Sequence, residues 1–195
     1  MKRILLTLVL ALGLLTANAQ IDRLAGPRIG FTYITPGPIA DFIHEGFDFD
    51  EDDKYGTTGP AFTSLYGWQW ESRFADGGNV TGIVEWIVLV GGMEKGMFLP
   101  SASSIIGARM DSGLEFGVGP NLSLSGIGMV FGVGYNFTSG NLNLPVNISV
   151  IPGRKMDGTI DYGGDPTTGS GYYSEKYEYN TGTRIAITLG FNMSK

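Results

Sequence analysis

The chain carries one histidine, His44, and no cysteine. A lone histidine cannot assemble a metal site, but an imidazole that titrates near neutrality can act as a general base. Asp41 and Glu45 flank it and Ser64 lies within sequence reach, so a His44-dependent acyl-transfer reaction on lipid is the enzymatic reading. No spacing among these residues marks a nucleophile–base–orienter triad. The expectation is therefore a protein that is not an enzyme. The lack of cysteine excludes disulfides, thiolate zinc sites and thiol catalysis.

Two other sets of charged residues invite chemistry. Asp48, Asp50, Glu51, Asp52 and Asp53 form an acidic run with Asp41 and Glu45 upstream. Clustered carboxylates can hold Ca²⁺, which takes oxygen ligands. The run has no glycine at the turn and no glutamate closing a loop, and a block of like charge is ordinarily a solvated, self-repelling segment. No cofactor is expected. The second set is Arg28, Glu71, Glu85, Arg109, Glu115 and Arg184, dispersed along the chain and united only by the faces on which they fall.

Those faces come from a period of two, the mark of strands. Ile185, Ile187, Leu189, Phe191 and Met193 share one face, and Arg184, Ala186, Thr188, Gly190 and Asn192 the other. Leu142, Leu144, Val146, Ile148 and Val150 oppose Asn143, Asn147 and Ser149. Met129, Phe131, Val133, Tyr135 and Phe137 alternate with residues that are mostly glycine, and Leu114, Phe116, Val118 and Leu122 oppose Glu115, Gly117, Gly119 and Asn121. The N-terminal half repeats this with more noise: Ile29, Phe31 and Tyr33 against Arg28, and Phe62, Tyr66, Trp68 and Trp70 against Thr63, Gln69 and Glu71. Val84, Trp86, Val88 and Val90 stand against Glu85 and the less polar Ile83, Ile87 and Leu89. A weaker strand spans Ala102 to Met110 with Arg109 on its polar side. All six dispersed charges thus share the small, polar side of eight strands.

Composition narrows the class. Charged residues are 16% of the 195, below the quarter usual for soluble domains, while glycine reaches 31 residues and aromatics 12%. A net charge of −6 without a basic cluster argues against nucleic acid, which needs Lys and Arg on one face. Lys2 and Arg3, the apolar run Ile4 to Leu15 and Ala17-Asn18-Ala19 read as a secretory signal over residues 1–19, leaving 20–195 as the mature domain. No later run of 18 apolar residues offers a spanning helix, so a membrane location would require a closed barrel.

Loop lengths agree. Bacterial barrels alternate short periplasmic turns with longer outer connections. The second, fourth and sixth connections, near Asp76–Asn79, Asp111–Gly113 and Thr138–Asn141, are tight. The first (35–59), third (92–101) and seventh (152–180) are longer, and the fifth, at Ser125-Gly126, is short against the pattern. In the seventh, Tyr173, Tyr177 and Tyr179 keep the parity of Ile185, which raises a hairpin standing above the membrane beside a plain Gly/Tyr-rich loop.

Gly113 to Asn121 (GLEFGVGPN), Phe137 to Asn147 (FTSGNLNLPVN) and Ile187 to Asn192 (ITLGFN) resemble outer-membrane β-barrel proteins of Bacteroidetes-type bacteria, small OmpA/OmpX-like barrels without a periplasmic domain. The likeness covers mainly residues 113–195, and the tail Asn192-Met193-Ser194-Lys195 departs from a terminal aromatic. The resemblance implies an outer-membrane barrel and carries over no catalytic residue.

The expectation is an all-β, antiparallel, up-and-down transmembrane β-barrel of eight strands, exported to the bacterial outer membrane. Its six inward charges would pair as a plug, because eight strands leave an interior that side chains just fill. Its partners would be outer-membrane lipid and an envelope or extracellular protein or ligand at the long loops. A narrow transport pore, a lipid-modifying enzyme and a soluble periplasmic carrier are the alternatives; oligomeric state stays open.

Overall fold

The computed structural model describes residues 23–46, 55–56, 58–162 and 173–193. The signal segment 1–19 and the acidic run Asp48–Asp53 lie outside the described residues. Seven strands follow one another as antiparallel neighbours: β1 (Arg23–Ile34), β2 (Ala61–Asp76), β3 (Val80–Gly91), β4 (Leu99–Met110), β5 (Leu114–Ser123), β6 (Gly126–Ser139) and β7 (Leu142–Ile151). After a separate hairpin, β8 (Lys155–Tyr162) with β9 (Tyr173–Asn180), the eighth barrel strand is β10 (Arg184–Gly190), continued by β11 (Asn192–Met193). β10 pairs with both β7 and β1, so the sheet closes on itself.

Closure removes the sheet edge, and strand alternation then sorts side chains into two environments. Odd-parity apolar residues of β1 stand outside: Ile29, Phe31 and Tyr33 are exposed while Arg28 and Thr32 are buried. The same holds in β5, where Phe116, Val118 and Leu122 are exposed and Glu115 and Asn121 buried. The barrel is therefore apolar outside and largely polar inside, the reverse of a soluble core.

A barrel this narrow bends its strands sharply, and inward glycines take the bends. A Cβ on Gly67 would lie 1.9 Å from the Val88 carbonyl oxygen, and one on Gly119 would lie 1.8 Å from that of Ser104. Gly113, at φ 93°, closes the tight turn between β4 and β5 in the left-handed region that favours glycine.

The two ends of the barrel differ. Tight turns join β2–β3, β4–β5 and β6–β7 at one end. The opposite end carries the connection holding α1 (Pro38–Glu45), a 3-10 turn at Met93–Lys95, and the β8–β9 hairpin. The sequence reading placed only a loop before β2. Pro38 at the helix start and the apolar Ile39, Ala40 and Ile43 were the available signals. Ala40 and Ile43 bury against Ile34 and Ala61, so the helix is anchored to the loop-end rim of β1 and β2. Leu99 also extends β4 three residues upstream of its expected start at Ala102.

Candidate functional site

Arg28, Glu71, Glu85, Arg109, Glu115 and Arg184 all point into the lumen, and five of them meet in its turn-side half. Glu71 and Glu85 are direct cross-strand partners. Like charges so placed repel, and two guanidinium groups separate them. Arg109 holds Glu71 bidentately, Nη1 donating to Oε1 at 2.7 Å and Nη2 to Oε2 at 2.6 Å. Its Nε donates to Glu115 Oε1. This fork-to-carboxylate geometry is the strong form of an ion pair.

Arg28 serves Glu85. Its Nη2 lies 3.8 Å from Glu85 Oε1, its Nε donates to Gln69 Oε1 at 2.6 Å, and its Nη1 donates to Thr188 Oγ1 at 2.8 Å. Gln69 Nε2 donates in turn to Glu85. Asn147 faces the same guanidinium; with its amide oxygen turned toward Arg28 it accepts from Nη1 at 3.0 Å and Nη2 at 3.1 Å. Arg28 and Glu85 are 1% and 5% exposed, and Arg109 and Glu71 8% and 1%, so both pairs are buried. A buried charge is tolerable only when paired and hydrogen-bonded, and this network meets that condition around both arginines.

Arg184 stands apart. It is the first residue of β10, opposite Ile34 and Ile151 at the loop end. Its Nη2 reaches across the lumen to Asn121 Oδ1 on β5, at 3.0 Å. Among the described residues it has no carboxylate partner.

The loop-side half of the lumen is not filled. A cavity of about 120 Å³ sits above the ionic layer, floored by Arg28, Glu85 and Glu115. The sequence reading expected side chains to fill the interior. The difference arises because Gly117, Gly132, Gly134, Ser101, Ser103 and Ser149 face this space and bring little or no side-chain volume. Interspersed with them on the same strands, Ile105 and Val130 join Ile87 in an apolar cluster with Leu89 and Ile151 against it. Ile39 of α1 reaches the lining from the loop end.

The His44 constellation is not assembled. His44 is exposed and its Nε2 lies 3.2 Å from the Pro60 carbonyl oxygen. Asp41 is buried and accepts from the backbone N–H of Gly56 at 2.5 Å and of Thr58 at 3.1 Å, and from the Thr58 hydroxyl. Ser64 instead binds Glu94 through its hydroxyl and its N–H. Asp41 is thus a loop staple, and Glu45 is exposed. Among the described residues no three His, Asp or Glu side chains gather as metal ligands would.

The six charges share the inner face with the neutral residues that partner the arginines, namely Gln69, Asn147 and Thr188 at Arg28 and Asn121 at Arg184, which charge alone does not pick out. Their inward parity was the signal. No protein-family model matches the chain, and no curated protein matches it in sequence.

Proposed function

We propose that the barrel resides in a bacterial outer membrane and presents its loop end as a surface for an envelope or extracellular partner. The carrying observation is the inverted polarity of the closed sheet. Trp68, Trp70, Trp86, Phe116, Phe131 and Ile187 are each more than two-fifths exposed on the outside, while arginines and glutamates are buried within. In water such an exterior would be an aggregation surface; in lipid it is the required one.

Dimensions and aromatic placement support the same reading. A tilted spanning strand needs about 9–11 residues, and β1 to β7 have 10 to 16. Near the loop end Tyr33 pairs with Phe62, and the Phe31 and Phe62 rings stack at 5.5 Å. Toward the turn end the Tyr135 and Phe137 rings lie 4.7 Å apart, and between the two margins Trp70 pairs with Trp86. Aromatic side chains at both margins suit the two interfaces of a bilayer.

The ionic layer favours a closed lumen over a conducting pore, since five paired charges span it between the turn end and the cavity. The elements that rise from the loop end, α1 and the β8–β9 hairpin, are what a partner would meet. The resemblance of residues 113–195 to Bacteroidetes-type barrels agrees with this placement.

Expression of the full chain, envelope fractionation and electrophoresis with and without boiling test it. A heat-modifiable band in the outer-membrane fraction is expected, because a closed barrel resists detergent until heated. A soluble periplasmic protein would instead make a lipocalin-like carrier the leading reading.

A further inference from the structure

We propose that the loop-side cavity binds a small anionic amphiphile, a short-chain monocarboxylate being the simplest, with its head group on Arg184. This site depends on the closed barrel and not on where the barrel resides.

Three observations carry it. First, Arg184 is a guanidinium held inside the lumen with one neutral partner, Asn121. A guanidinium has five N–H donors in a fixed fork. Arg109 spends its donors on two carboxylates, and Arg28 spends its own on a carboxylate, an amide oxygen and a hydroxyl, whereas Arg184 faces the void with one neutral acceptor. A carboxylate is the group whose two oxygens match that fork.

Second, the surface beside Arg184 is apolar where a plug would be polar. Ile151, its cross-strand partner, packs against the cluster of Ile87, Ile105 and Val130. A void that sets a cation beside such side chains matches a molecule with one charged end and one hydrocarbon end. The void is close in size to engineered apolar cavities that take up a benzene-sized guest.

Third, a smaller cleft adjoins the cavity at the loop end, and Arg184 lines both. Its other cation is Arg154, exposed between β7 and β8. An anion approaching from the loop end thus meets one exposed arginine before the lumenal one. The floor of the cavity holds two glutamates, Glu85 and Glu115, against the one cation Arg28, so the head group belongs at the rim and the chain beside the isoleucines.

The test uses the purified protein in a non-ionic detergent, with isoleucine methyl groups labelled for NMR and sodium octanoate as probe. Saturable shifts at Ile87, Ile105 and Ile151 are expected. Arg184→Gln should weaken octanoate at least tenfold and leave the neutral analogue octanol unchanged. Shifts confined to the outward Ile106, Ile127 and Ile187 would mean micelle partition and overturn the proposal. So would equal affinity for octanoate in wild type and Arg184→Gln, or an unshifted lumen. Heat-modifiable mobility reports whether each variant folds. Should Arg184→Gln not fold, Ile105→Phe, which fills the cavity and keeps the cation, decides: lost octanoate binding supports the site, and retained binding overturns it.

Discussion

The two halves of the lumen solve the same problem in opposite ways. Toward the turns, the interior is packed with charge, and each arginine there is committed to partners on other strands, Arg109 to two carboxylates and Arg28 to a carboxylate, an amide and a hydroxyl. Toward the loops, the interior is thinly furnished, with isoleucines and a valine interspersed among glycines and serines, and among the described residues Arg184 has no acidic partner. Tight turns close the first end and a helix, a 3-10 turn and a hairpin decorate the second. The difference teaches that the ionic layer is the structural part of the lumen, and that the space above it has been left available.

The largest effect expected from breaking that contrast lies at Arg109. Arg109→Ala would strand Glu71 and Glu115 in a buried site, at a cost of about 3–5 kcal/mol for breaking a buried pair. Urea unfolding in detergent micelles measures it. An effect below ~1 kcal/mol would mean that water reaches the layer and that the halves are alike.

Glycine substitutions give the next contrast. Gly119→Ala forces a Cβ against the Ser104 carbonyl oxygen and should cost about 1–3 kcal/mol, the usual range for overpacking. Gly132→Ala meets nothing nearer than 3.9 Å and borders the cavity, so the same unfolding curve should barely move. A cost at Gly132 equal to that at Gly119 would mean that Gly132 does not face open space.

A smaller change is expected at Ile105. Truncation of a well-packed isoleucine to alanine costs about 2–5 kcal/mol, partly for the cavity created. Ile105 already borders one, so Ile105→Ala should fall at or below the lower end of that range. A loss near the upper end in the same measurement would mean that the wall is as tightly packed as the floor.

The smallest effect concerns the loop end itself. Burial nudges the Glu94 carboxyl upward, but bonds from the Ser64 hydroxyl and N–H outweigh it and hold the group below the usual carboxylate range. A lowered folded-state pKa stabilises above the unfolded value, near ~4.3, and that contribution fades as pH falls through the folded value. Proteolysis at Lys95 should accordingly become slightly faster on acidification, and Ser64→Ala, which removes the hydroxyl bond but keeps the N–H bond, should weaken the dependence while leaving the ionic layer unchanged.

Much of this was legible in sequence because a strand exposes its environment locally. Residues two apart share a face, so Arg28, Gln69, Glu71 and Glu115 declared themselves inward, and the turns at Asp111–Gly113 and Gly140-Asn141 counted the strands. The Tyr173–Tyr179 segment was open between loop and hairpin, and it forms β9 of a hairpin with its own two-stranded sheet. The helix α1 went unread because eight residues after a proline carry too short a period to outweigh the surrounding loop.

What the sequence determined alone was the alternation, and through it which residues, the six charges among them, share one face; that this face is the inner one was decided by closure of the sheet. Pairing across the lumen was decided only by the tertiary structure. Arg184 reaches Asn121 over two intervening strands, and Arg28 meets Thr188 at 160 residues' separation. No local pattern encodes such contacts, since they exist only once closure brings the first and last strands together. The cavity follows the same logic: it is volume left over after eight strands have contributed their inward side chains, a sum that no single strand contains.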